Sequence, residues 1–164
     1  MNKYYSLLPI FLIMILSGCS SKTSMEYFTK NPESALSVQY TKKRDILHNN
    51  EVKAMIFATY LNKISTKYKN EKLNSFIVGI HYANVDNNDL IENRFLLTLN
   101  EEAPLSLVKL KEDSDFLKNI SLKNKWASYY LVHFKNIDDQ VKNLNLKLTH
   151  PVWGQTIIKF LKQP

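Results

Sequence analysis

The chain contains a single cysteine, Cys19, and only three glycines among its 164 residues. No disulfide can form within one chain, so a folded domain must be stabilised by packing alone. Gly79 and Gly154 are the only glycines after Cys19, and neither belongs to a glycine-rich phosphate-binding loop. The motifs HExxH and GxSxG are also absent. We therefore expect a protein that is not an enzyme and that holds no cofactor or metal.

A short apolar run near the N-terminus is the most informative feature that is present. Lys3 precedes ten residues that are apolar throughout (residues 7–16), and the run ends in Leu16-Ser17-Gly18-Cys19. It is shorter than the roughly 20 residues of a membrane-spanning helix, and it contains Pro9. A positive charge, an apolar stretch and small residues in this order are typical of a signal peptide.

The first nineteen residues resemble a bacterial lipoprotein signal peptide with its lipobox. The resemblance implies cleavage after residues 1–18 and attachment of diacylglycerol to the Cys19 sulfur, with an acyl chain such as palmitate on the new amine. Residues 19–30 would then be a lipidated tether. Ser20 instead of Asp follows Cys19, which in Gram-negative lipoproteins implies the outer membrane, facing the periplasm. The alternatives are an ordinary secretory signal and an uncleaved anchor.

The chain is basic, with a formal net charge of +7. Lys3 is the only charged residue before Cys19, so the mature chain keeps about +6. Such a domain could lie against an anionic bilayer or an acidic glycan, although the basic runs are short and also suit scattered solubilising charges. No nucleic-acid-binding motif is present, and we expect no nucleic acid partner.

Alternating apolar residues after residue 40 predict eight strands. They are expected at residues 44–47, 51–61, 75–83, 94–100, 104–111, 126–134, 144–148 and 155–161. Asn31-Pro32-Glu33 predicts the start of a short helix that ends near Tyr40, with a strand as the alternative because Leu36, Val38 and Tyr40 also alternate. We predict a mainly β chain: residues 31–164 form a single antiparallel β-sandwich, immunoglobulin-like, with a short N-terminal helix.

Aromatic and histidine side chains supply the remaining candidate sites. Trp126 is predicted to point into the core, whereas Tyr129, on the opposite face, and Trp153, in a Pro/Gly turn, are candidates for an interaction surface. His81 and His133 could meet if their strands pair, but two histidines make an incomplete metal site. The favoured function is a membrane-anchored accessory that binds an envelope protein. The alternative is a binding module for an acidic or glycan ligand.

Overall fold

A short helix, α1 (Pro32–Gln39), opens the part of the chain that the computed structural model describes. That part comprises residues 32–69, 71–83, 87–138 and 140–162, all within one unit, Asn31–Pro164. The signal peptide, Cys19 and the tether lie outside the described residues. No helix within those ranges combines the length and the apolar composition that a membrane crossing requires.

Within the described ranges, eight antiparallel strands form two sheets, as the alternating pattern predicts. The strands are β1 (Thr41–His48), β2 (Glu51–Tyr60), β3 (Leu73–Tyr82), β4 (Leu96–Leu99), β5 (Ser106–Leu110), β6 (Ser128–Lys135), β7 (Asn143–His150) and β8 (Gly154–Leu161). The larger sheet has the order β1-β2-β3-β6-β5, and the smaller sheet has the order β4-β7-β8. The predictions of a mainly β chain and of a two-sheet antiparallel sandwich are confirmed.

The turn between β1 and β2 depends on two asparagines. Asn49 and Asn50 have φ angles of 53° and 62°, the left-handed region that a two-residue hairpin requires. Asparagine tolerates this region better than most side chains, so the turn could be predicted from the sequence.

The main core lies between the two sheets and is rich in aromatic rings. The Tyr60 and Phe76 rings stack with centroids 4.8 Å apart, and the Phe160 ring of the smaller sheet lies 5.4 Å from that of Phe76. Among the described residues, the members of the main core lie between Ile46 and Phe160. Residues 31–164 therefore contain a hydrophobic core.

The outer face of the larger sheet is also covered. Its cover consists of a 3-10 turn (Leu61–Lys63), a short helix α2 (Thr66–Lys69), and the cover segment, which we define as residues 111–127 and which contains helix α3 (Asp115–Lys118). These elements contribute to a second apolar cluster with strand residues of the outer face: Leu61, Tyr68, Ile77, Leu117, Ile120 and Tyr129. Strand β3 is consequently buried on both faces.

The predicted inward position of Trp126 is wrong. Its side chain is 64% exposed, because β6 begins at Ser128 and Trp126 lies in the turn that precedes the strand. The alternation is correct only from Ser128 onward, where Tyr130, Val132 and Phe134 enter the core. The Lys125 ammonium group lies 4.6 Å from the centroid of the exposed Trp126 ring.

Candidate functional site

Tyr129, one of the two aromatic residues predicted on the surface, is only 6% exposed. Its ring lies over Gly79 in the second cluster, and its hydroxyl accepts a hydrogen bond from the Asn124 backbone N–H at 2.7 Å. The expected exposure is wrong because the cover segment buries this face of the sheet. Cys19, the predicted lipidation site, lies outside the described residues.

His81 and His133 do not meet, although their strands pair. His133 lies opposite Ser75, and its Nδ1 is 2.8 Å from the Ser75 Oγ, whereas His81 lies six residues further along β3, about 20 Å away. The ranges that the structure describes contain no group of three or more His, Cys, Asp or Glu side chains that could hold a metal ion.

Trp153, the other predicted surface residue, lies half-buried in the turn between β7 and β8. Its ring stacks on His150 with the centroids 4.1 Å apart and lies 6.0 Å from the Phe95 ring. The His150 Nδ1 accepts hydrogen bonds from the backbone N–H groups of Val152 and Trp153, at 3.1 and 3.0 Å. The imidazole that accepts these two hydrogen bonds is therefore neutral and carries its proton on Nε2.

The surroundings of His150 favour that neutral form. Burial lowers the pKa of His150 below its ordinary value of 6.5, and the nearby positive charge of Arg94 lowers the pKa further. Both effects disfavour the imidazolium, which could not accept the two backbone hydrogen bonds of the turn.

The loop between β3 and β4 packs beside this turn and is fixed by Asp89. The Asp89 Oδ1 accepts hydrogen bonds from the backbone N–H groups of Ile91 and Glu92, at 2.9 and 3.1 Å. Its Oδ2 accepts from Tyr130 Oη at 3.2 Å and from Lys109 Nζ at 3.0 Å. Burial raises the pKa of Asp89, but the hydrogen bonds and the Lys109 charge outweigh that effect and hold the pKa below 3.8.

The described residues of these two connections, together with the start of β4, present an apolar surface at one end of the sandwich. We call it the apolar tip and define it by Ile91, Leu96 and Val152, whose side chains are 68%, 69% and 65% exposed. Ile91, Leu96 and Pro151 line one shallow depression of about 370 Å³, and Val152 follows Pro151 directly. Arg94 also lines this depression, and exposed apolar side chains beside a polar rim are typical of a contact site.

Trp153 is the one residue of this region that the sequence predicts as part of an interaction surface. A signal was present in the strand pattern of β4, because Leu97 and Leu99 are buried and Leu96 is apolar on the opposite, outward side. Val152 is likewise an apolar residue inside a turn. Apolar residues that fall out of phase with the burial pattern could therefore have pointed to the tip.

A second concave site lies where β5 ends and β6 begins. This basic groove, of about 740 Å³, has apolar walls that include Leu110, Leu117, Ala127 and Tyr129. Four lysines and one carboxylate also line it: Lys109, Lys111, Lys123, Lys125 and Glu112. The Lys109 charge is paired with Asp89, and the Lys123 Nζ donates to the Leu117 carbonyl at 2.7 Å.

Comparison of this chain with protein families, with curated proteins and with solved structures finds no match. The apolar tip and the basic groove are therefore interpreted from their own chemistry.

Proposed function

We propose that the domain is an immunoglobulin-like sandwich with a short N-terminal helix. The order β2-β3-β6-β5 corresponds to strands A-B-E-D of a constant-type immunoglobulin domain, and β4-β7-β8 corresponds to C-F-G. Strand β1 would be an addition at the edge of strand A. In this correspondence Ile91 and Val152 lie in the B–C and F–G connections and Leu96 begins strand C, at the end where variable domains carry binding loops.

We propose that the protein is a lipid-anchored, non-enzymatic accessory that binds another protein of the cell envelope. The lipobox Leu16-Ser17-Gly18-Cys19 supports the anchor, with acylation of Cys19 and a position on the outer membrane facing the periplasm. Two or three acyl chains would retain the protein on the bilayer, since each buried methylene contributes about 0.8 kcal/mol.

The apolar tip is the observation that supports protein binding. Its three exposed side chains would leave water together on contact with a partner, and about 25 cal/mol is gained per Å² of apolar surface buried. The stack of Trp153, His150 and Phe95 and the hydrogen bonds of Asp89 hold the tip in place. A preformed surface loses little conformational entropy on binding, so more of the burial energy remains for affinity.

Substituting a tip residue tests this proposal. Leu96→Asp places a charge in the contact, and we expect it to abolish co-purification of a stoichiometric envelope protein from solubilised membranes. Leu161→Asp is the matched control, because Leu161 is 60% exposed at the far end of β8 from the tip. Equal recovery of the partner with Leu96→Asp and with Leu161→Asp, both folded, would exclude the tip as the contact.

The anchor is tested separately at Cys19. Cys19→Ala removes the only sulfur that can carry diacylglycerol, so we expect the chain to leave the membrane fraction and to lack the mass of the acyl chains. Ser20→Ala, which keeps the thiol, is the control. If Cys19→Ala fractionated with membranes as the unaltered chain does, and neither carried added mass, the lipoprotein assignment would be wrong.

The basic groove favours a second function, binding of an acidic ligand or glycan. Lysine-dependent binding weakens steeply as salt rises, because screening acts on exposed charges over about 10 Å at 0.1 M ionic strength. Binding that is lost in salt and insensitive to Leu96→Asp would favour this second function over protein binding at the tip.

A further inference from the structure

The basic groove lies on the same side of the domain as the start of the described chain. Helix α1 is attached to the cover segment: Ser121 N donates to Ser37 Oγ at 2.9 Å, and Asn119 Nδ2 donates to Glu33 Oε2 at 2.7 Å. The cover segment packs on the outer face of the larger sheet through Leu117 and Ile120. The residues of this segment that line the groove include Lys123, Asn124, Lys125 and Ala127.

The length of chain before α1 limits how far this face can lie from a bilayer. Cys19 and Pro32 are separated by about 13 residues, which span at most about 45 Å when fully extended. The described chain begins at Pro32, in the helix that is hydrogen-bonded to the cover segment, on the face that carries the groove. This step rests on the lipid anchor proposed above.

The groove combines the two chemistries of a phospholipid. Its apolar walls include Leu110, Leu117 and Ala127, and ammonium groups lie around them. Because Asp89 neutralises Lys109, the free positive charge comes from Lys111, Lys123 and Lys125. Glu112 is the one carboxylate among the described residues that line the groove, so these residues carry an excess of positive charge that suits a single phosphate.

Exposed apolar side chains of the cover segment extend this pattern. Leu122 and Trp126 are exposed. Lys123 follows Leu122 in the chain, and Lys125 precedes Trp126. Tryptophan and lysine side chains favour the interface of a membrane, where an apolar body and a polar or charged end are both accommodated.

We propose that the basic groove and the adjoining Trp126 dock on the bilayer that anchors Cys19, with the groove holding the headgroup phosphate of one anionic phospholipid. Lys111 and Lys125 bind the phosphate, and the apolar walls contact the first part of the acyl chain. The apolar tip adjoins this surface, because the loop that carries Ile91 is joined to it by the Lys109–Asp89 ion pair and by the hydrogen bond from Asn88 Nδ2 to the Trp126 carbonyl at 2.8 Å.

Trp126 provides an intrinsic reporter for this docking. The chain has two tryptophans, so the full lipidated chain with Trp153→Phe fluoresces from Trp126 alone. Reconstitution into phosphatidylcholine vesicles that contain phosphatidylglycerol allows either lipid to be brominated, and a brominated acyl chain quenches a nearby indole. We expect stronger quenching by brominated phosphatidylglycerol than by brominated phosphatidylcholine at equal bromine content.

Lysine variants assign that preference to the groove. Lys111→Gln with Lys125→Gln is expected to reduce the ratio of the two quenching constants to near one. Lys72→Gln with Lys159→Gln removes the same charge elsewhere and is expected to keep the ratio, each variant being referred to its own fluorescence in unbrominated vesicles.

Each outcome of this experiment decides the proposal. The proposal is supported if brominated phosphatidylglycerol quenches more strongly in the parent chain and in the control variant, but not in the groove variant. Equal quenching by both lipids, or a preference that survives in the groove variant, overturns the docking and leaves the lipid anchor standing. A chain that binds neither kind of vesicle overturns both.

Discussion

Gly79 lies beneath the ring of Tyr129, its cross-strand neighbour on β6. A Cβ at position 79 would lie 2.9 Å from Tyr129 Cδ1, which is closer than packed side chains allow. A glycine is therefore required at position 79. Without a Cβ there, the Tyr129 ring can lie flat on the sheet and contribute to the second cluster.

Gly79→Ala tests this close approach. We expect a loss of about 1–3 kcal/mol in the free energy of unfolding, the usual cost of overpacking. The measurement is chemical denaturation, repeated in a Tyr129→Leu background, where the ring is gone and the cost of the alanine should shrink. An equal cost in both backgrounds would contradict the assigned contact.

Trp126 is large but exposed, so we expect its removal to change the free energy of unfolding very little. Trp126→Ala should change the free energy of unfolding by no more than about 0.5 kcal/mol, as surface substitutions usually do. Phe76→Ala, at a fully buried ring of the main core, should cost about 3–5 kcal/mol. A large loss for Trp126→Ala would mean that the ring is packed in the folded protein.

The turn between β7 and β8 is an element whose integrity depends on pH. His150 accepts two backbone hydrogen bonds only when neutral, and its pKa is lowered by burial and by Arg94. The neutral form is thus favoured by folding. The neutral His150 side chain stabilises the fold fully above pH 6.5, the ordinary pKa of histidine. This stabilisation is lost as the pH falls through the lower pKa that His150 has in the folded state.

The stacked Trp153 ring reports this titration. In a Trp126→Phe chain, Trp153 fluorescence should change with a midpoint below pH 6.5, because protonation of His150 breaks the turn against which the indole stacks. His150→Asn, which lacks the titrating imidazole, should remove the transition. A midpoint at or above 6.5 in the Trp126→Phe chain would contradict the assigned surroundings of His150.

Strand positions could be predicted from the sequence because each strand satisfies a local rule. Alternation locates β7, and Asn49-Asn50 defines the β1–β2 turn, each from residues that are close in the chain. Strand ends were less accurate: β6 begins at Ser128 and not at Trp126. Alternation cannot show where a strand stops pairing, because Trp126 continues the same period.

The covered outer face could not be predicted, because it depends on contacts between distant segments. Tyr129 meets Leu117 and Tyr68 only after the cover segment and α2 fold onto the larger sheet. The pattern marks Leu96 and Val152 as apolar residues that are out of phase, but it cannot show that they lie at the same end of the sandwich as Ile91, because the three come from separate parts of the chain. Alternation identifies the two faces of a strand, but it cannot tell what covers the outer one.

The two proposed contacts involve neighbouring surfaces of the whole domain. The outer face of the larger sheet carries the start of the described chain and the basic groove, whereas the tip consists of Ile91 in the β3–β4 connection, Leu96 at the start of β4 and Val152 in the β7–β8 turn. The Lys109–Asp89 ion pair joins the groove to the loop that carries Ile91, so a partner bound at the tip would lie beside the bilayer.

Photo-crosslinking in intact cells, from a reactive residue at position 96 of the lipidated full-length chain, tests whether the apolar tip binds an envelope protein. We expect one discrete crosslinked envelope protein from position 96, an adduct that Val152→Asp in the same chain removes, and none from a control residue at position 161. Adducts of equal yield from positions 96 and 161, or no adduct from position 96 in a folded and anchored chain, would show that the tip is not the contact.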